Sequence, residues 1–275
     1  MLRTPKPVLV LDLFPAEREA LVALLEELSL DDWFRPTIAG EWTVKDVAAH
    51  LVADDLGRVS RSRDGHRQPW VPADEPLKAY INRRNAEWVA AMRRLSPRVV
   101  ISLLDFSGHE TQRLFESVDS FALGPPVNWV GPEPAPNWLD LAREFTERWH
   151  HQQQIREAVA APLLNSPTFL RPVLQTFAFA LVPPYRDLEA PAGSTVQLSV
   201  DGPSGGDWAV VRDEAGWSLR VGRANAPTGS VAMNEDTAWR MYIRALGRPD
   251  VEARSTFAGD PRLTHPVLEA FALVS

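Results

Sequence analysis

No cysteine occurs in the 275-residue chain. Disulfides, a thiolate-ligated metal and a cysteine nucleophile are excluded, and any thiol chemistry needs a thiol brought in from outside. Long apolar runs are missing as well. None approaches the ~20 residues of a membrane-spanning helix, and the opening stretch Met1-Leu-Arg-Thr-Pro-Lys-Pro-Val-Leu-Val-Leu-Asp12 is cut by prolines and an acid before a secretory core can form. A cytoplasmic protein with no membrane partner is the expectation. Positive charge is not in excess either: the formal net charge is -7. Basic residues are spread along the helical segments, so nucleic acid is not an expected partner. No glycine-rich phosphate loop and no Gly-x-Ser-x-Gly elbow is found, and the run Asp201-Gly-Pro-Ser-Gly-Gly206 reads as a connection between strands.

What is present is a globular composition, 45% hydrophobic and 24% charged, in a chain long enough for two domains. Up to Val182 the apolar residues recur at helical spacing. Pro15 is placed like a first-turn proline, and Leu21, Leu24, Leu25 and Leu28 mark one face of a helix ending near Asp31 or Asp32. Thr43 and Asp46 have the spacing of a capping box opening a second helix, to about Ser60. A loop is expected over residues 69–76, then helices over about 76–95, 97–121, 138–159 and 167–182, with a proline-rich irregular stretch at 124–136. Antiparallel helices of this length make a bundle.

Beyond residue 183 the period switches to two. Val196, Leu198 and Val200 alternate with polar neighbours, as do Trp217, Leu219 and Val221, and Asp213-Glu-Ala-Gly216 supplies a turn. Strands are also expected around Val231 and from Val251 to Phe257; Asn234 and Asp260 read as caps of two helices, the first through Trp239 to Leu246 and the second to Leu273. The expected organisation is therefore a helical bundle over residues 1–182 and a smaller α+β domain over 183–275, an antiparallel sheet with two helices.

The chemistry-bearing pattern is a pair of helical segments. One is Trp42-Thr-Val-Lys-Asp-Val-Ala-Ala-His50-Leu51; the other contains Glu147-Arg-Trp-His-His151. Glu and His four residues apart sit about one turn, ~6 Å, from each other on one side of a helix and can reach a single ion. A histidine from a neighbouring helix completes three ligands, and three protein ligands leave a position open for chemistry. Bland readings compete. On a helical wheel Leu141, Ala142, Phe145 and Trp149 form one face while Glu147, His151 and Gln154 lie nearly opposite, which reads as a solvated face. His50 lies at the border of the stripe Val44, Val47, Ala48 and Leu51; His150 and Glu144 compete for places in the set; Asp54 and Asp55 read either as surface charges or as partners orienting an imidazole. His66 and His265 read as exposed, and His109 as helical without an acidic partner. The ten tryptophans read as packing residues.

The segment from Asp32-Trp-Phe-Arg-Pro-Thr-Ile-Ala-Gly-Glu-Trp42 to Leu51 resembles the opening signature of the mycothiol-dependent maleylpyruvate isomerase family, and Arg143 to Arg156 is similar to that family's second metal segment. Asp201-Gly-Pro, Asp236-Thr-Ala-Trp-Arg240 and Gly259-Asp-Pro resemble its C-terminal domain. The resemblance implies a DinB-like four-helix bundle followed by a sterol-carrier-like α+β domain. Carried residue by residue, it puts the metal ligands on His50, Glu147 and His151. It implies a divalent metal, usually zinc, and a low-molecular-weight thiol such as mycothiol or bacillithiol whose thiolate adds to an activated double bond, allows rotation and is eliminated. A coordinated thiol is deprotonated by the charge of the ion, which gives a nucleophile at neutral pH. An anionic substrate of this kind needs cationic partners, for which Arg220 and Arg223 are weak candidates beside their reading as surface residues of a half-buried sheet.

Two imidazoles and a carboxylate suit zinc, iron, nickel or manganese alike. The expected activity is that of a metal- and thiol-dependent isomerase or transferase on a small electrophile. A non-catalytic small-ligand-binding protein and a metal-dependent hydrolase on the same bundle remain the alternatives.

Overall fold

A computed structural model describes residues 1–66 and 75–272, so the loop expected at 69–76 lies mostly outside the described residues. By packing, the chain forms two compact units. One contains Val10–Ser120 and Glu144–Leu164; the other contains Met1–Leu9, Phe121–Arg143 and the chain from Asn165 onward. The character of the secondary structure changes near residue 183, whereas the second unit also gathers residues 121–143 and 165–182.

The helical unit begins with α1 (Phe14–Glu27), which carries Pro15 in its first turn. The expected longer helix is interrupted: Leu28 is extended, and Ser29 with Asp32 forms a second capping box that opens the short α2 (Leu30–Trp33). A capping box satisfies two otherwise unpaired backbone groups, so a new helix start here outcompetes continuation. α3 (Val44–Ser62) opens where the Thr43–Asp46 spacing places it, with the Thr43 hydroxyl accepting from Asp46 N and Asp46 accepting from Thr43 N. Asp46 also takes two hydrogen bonds from Arg93, at the end of α4 (Leu77–Met92), which ties α4 to the start of α3. α5 (Pro97–Glu116) and α6 (Asn137–Ala158) follow. α5 packs on both α1 and α3, and Leu21, Val47, Leu51, Leu104 and Ile155 meet in one buried core. Side chains of α6 reach α1 and α3 through Gln152 to Glu17 and Arg148 to Asp55.

The second unit continues with α7 (Pro167–Phe177), then β1 (Thr195–Asp201), β2 (Gly206–Asp213), β3 (Gly216–Val221), β4 (Gly229–Asn234), α8 (Glu235–Tyr242), α9 (Arg248–Ala253), β5 (Thr256–Gly259) and α10 (Pro261–Thr264). The sheet order is β3-β2-β1-β4-β5. Three of its pairings are antiparallel, as expected for the whole sheet; β1 and β4 run parallel. The β2–β3 hairpin turns where the sequence indicates, with Gly216 at φ 139 and the Asp213 carboxylate accepting from Ala215 N and Gly216 N. Arg3 bridges Val221 and so lengthens the β3 edge. Asn234 and Asp260 cap α8 and α10, both shorter than expected. The strand expected from Val251 is instead α9 followed by β5, because Pro249 in the first turn after Gly247 favours a helix start.

Candidate metal centre

His50 is 6% exposed and therefore inside the bundle, not at the border of its stripe. The well-capped start of α3 fixes its turn, and the Trp42 ring lies 4.9 Å away, centroid to centroid. His151 on α6 meets it edge to face with ring centroids 4.7 Å apart. Asp54, one turn beyond His50, brings Oδ2 to 3.3 Å from His50 Nε2. One ligand atom from each of His50, Asp54 and His151 lies within 4.8 Å of the others. Glu147 is half-buried one turn before His151; the carboxylate in this cluster is that of Asp54.

The polar face of α6 is partly covered: Gln154 is buried, and Glu147 and His151 are half-buried. His150 and Gln154 are 5% and 7% exposed. Gln154 spans the two adjacent histidines, with Oε1 2.9 Å from His151 Nδ1 and Nε2 2.9 Å from His150 Nε2. Beside them lies an ion network. Asp55 accepts from Arg18, Ser107 and twice from Arg148, and Arg148 also donates to the Glu144 carboxylate. The Arg148 guanidinium lies 5.7 Å and 5.5 Å from the Phe14 and Phe115 ring centroids. Glu144 is thus engaged by Arg148, and Asp55 anchors helices; Asp54 is the one of the two aspartates that faces an imidazole.

Burial sets the protonation states. It pushes His50 down to about 4, with the Arg148 cation acting in the same direction. His151 is also pushed to about 4, by burial and then by His50, against the pull of Gln154 and Asp54. Asp54 is raised to about 6 by desolvation, although 38% of its side chain remains open to water. At neutral pH the imidazoles are neutral and Asp54 is ionised, the states that metal ligation requires. His50 Nδ1 is buried without a hydrogen-bond partner. Two deprotonated nitrogen donors and one carboxylate oxygen fit a divalent cation, and the set suits a borderline metal such as zinc.

The remaining candidates lie elsewhere. Arg223 donates to both Asp207 oxygens at 3.0 Å, and Arg220 is 3.9 Å from Asp213, so each guanidinium has a carboxylate neighbour within the sheet. His66 is exposed; His265 stacks on Phe257; His109 lies 3.6 Å from Asp105, an exposed acidic neighbour one turn back. Asp54 was visible in the sequence only as an acid four residues after a histidine, the same spacing that singled out Glu147 and His151. Among the described residues no helix is long and apolar enough to cross a membrane.

Residues 14–156, just over half the chain, match the family model described as the mycothiol maleylpyruvate isomerase N-terminal domain. The matched span contains His50, Asp54, Glu147 and His151. Among solved structures, a mutant of the mycothiol-dependent maleylpyruvate isomerase superposes with a TM-score of 0.52 at 13% identity, over 84% of this chain and 86% of that one. A crystal structure of the mycothiol-dependent maleylpyruvate isomerase itself gives 0.48 at the same identity and coverage. At this identity the likeness shows the fold, a helical region followed by a five-stranded sheet with helices. No curated protein matches the chain.

Proposed function

Since the chain belongs to the mycothiol maleylpyruvate isomerase family, we propose that it is a cytoplasmic, divalent-metal-dependent enzyme that uses a low-molecular-weight thiol to isomerise, or to transfer onto, a small electrophile. The observation that supports this most is the convergence of His50, Asp54 and His151 within the segment that carries the family likeness. His50 and His151 supply two nitrogen ligands and Glu147, one turn from His151, the carboxylate; Asp54 stands beside His50 as a second carboxylate. Such an ion supplies Lewis acidity and lowers the pKa of a thiol that binds it.

The chain contributes the rest of the setting. Burial keeps both imidazoles unprotonated at neutral pH. The Trp42 ring shields one side of His50 from water. The absence of cysteine agrees with a thiol supplied by a small molecule, for which mycothiol and bacillithiol are the candidates.

Elemental analysis of the purified protein, followed by titration of mycothiol, bacillithiol and glutathione into the zinc-loaded form, tests the proposal. Stoichiometric metal and turnover of an electrophilic cis-alkene acid only with added thiol are expected. Turnover without thiol would make the protein a hydrolase; no metal uptake would overturn the reading.

A further inference from the structure

Gln154 is the buried polar group at this site that metal ligation itself does not use. It sits three residues after His151 and four after His150, the two spacings that bring helical side chains into contact. Its amide is divided between them: Oε1 faces His151 Nδ1 and Nε2 faces His150 Nε2, each at 2.9 Å. Both hydrogen bonds are made in an interior where Gln154 and His150 are almost wholly withdrawn from water. Water is therefore a poor substitute for either bond.

The chemistry of the amide makes the arrangement directional. An amide oxygen only accepts and an amide nitrogen only donates, while a neutral imidazole carries one N–H. Oε1 against Nδ1 requires the His151 proton on Nδ1, which leaves the lone pair on Nε2. Nε2 of Gln154 donating to Nε2 of His150 requires the His150 proton on Nδ1. Turning the amide over would place N–H against His151 Nδ1 and shift the His151 proton to Nε2, where it would block ligation. In the orientation observed, His150 Nε2 is the acceptor of the second amide bond.

We propose that Gln154 is a positioning residue that locks His151 in the Nδ1–H tautomer and presents Nε2 for coordination. This rests on His151 being a metal ligand, as proposed above. Groups of this kind set ring orientation and ligand basicity, and their loss typically weakens metal affinity by roughly 10- to 100-fold.

Two measurements test it. Long-range proton–nitrogen NMR of metal-free wild-type protein reports the tautomer of each histidine, with no substitution needed. The expected result is His151 and His150 both as Nδ1–H; His151 as Nε2–H overturns the proposal. The second is zinc affinity by chelator competition in Gln154→Leu and Gln154→Glu, with circular dichroism to confirm the fold. Gln154→Leu should lose roughly 10- to 100-fold, and Gln154→Glu, which keeps an acceptor for Nδ1–H, should recover most of it. Equal affinity in wild type and Gln154→Leu, or equal loss in both variants, overturns the proposal. His151→Ala is the control: unchanged zinc binding there removes the metal reading itself, whereas lost binding there with intact binding in Gln154→Leu removes only the role of Gln154.

Discussion

Arg148 and Asp55 form a buried ion pair, with the guanidinium NH2 2.7 Å from Oδ1 and side-chain exposures of 4% and 0%. It ties α6 to α3. Asp55 lies five residues beyond His50 and Arg148 three before His151, so the pair fixes the register at which the two imidazoles meet. Burial alone would raise the Asp55 carboxyl, but Arg18 and Arg148 outweigh it and hold the carboxyl below its usual value.

Removing one partner of such a pair strands a charge in the interior, which typically costs about 3–5 kcal/mol. Asp55→Asn should therefore lower stability by that order and weaken metal binding with it. Urea unfolding of the variant checks this; a loss under about 1 kcal/mol would show that the pair is dispensable.

The metal ligands give a second expectation. His50→Ala and His151→Ala should each lose stoichiometric zinc while helical circular dichroism stays within error of wild type. Full occupancy in both would defeat the assignment, and collapse of the helical signal would mark the histidines as structural.

Asp54 on α3 and Glu144 and Glu147 on α6 should not be equivalent toward the metal. Glu147→Ala is expected to weaken zinc binding more than Glu144→Ala, because Glu144 is already engaged by Arg148. Chelator competition ranks them. If Asp54→Ala empties the site and Glu147→Ala leaves it filled, the third ligand is Asp54, as its position in the cluster allows.

The pH dependence of the metal-free protein follows from proton counting. Folded His50 and His151 titrate near 4 against 6.5 in the unfolded chain, and His150 is displaced in the same direction. Between about pH 6.5 and 4 the unfolded chain binds more protons through these rings, so stability rises with pH there. Asp54 and Glu17, both raised by burial, act in the opposite sense. Three imidazoles against two carboxyls leave the slope positive. The urea midpoint should fall between pH 7 and pH 5, and a flat or rising midpoint would contradict this balance.

Much of the local structure was legible because short-range chemistry dictates it. Thr43 with Asp46, Asn234 and Asp260 each cap a helix where the sequence marks one. The helix break at Leu28 depended on Ser29 and Asp32, which have the same spacing as Thr43 and Asp46 but lie within an apolar run that reads as continuous. At the site, His50 and His151 were identified and do meet. The covering of α6 was not legible, since a helical wheel ranks faces by their own polarity. It has no information about Asp55 of α3 or Glu17 of α1, which pair with Arg148 and Gln152 and so bury two polar side chains beside the apolar face. Asp54 was ambiguous for the same reason.

Arg3 and Val221 exchange two backbone hydrogen bonds, of 2.9 Å and 2.8 Å, along the outermost strand of the sheet. Removing the first nine residues would bare the Val221 N–H and C=O on that edge, and unpaired edge groups can recruit strands from other molecules. A protein shortened in this way should self-associate in a concentration-dependent manner by light scattering while its metal content is unaltered. The amino-terminal segment thus closes one position of a sheet edge more than two hundred residues away in sequence.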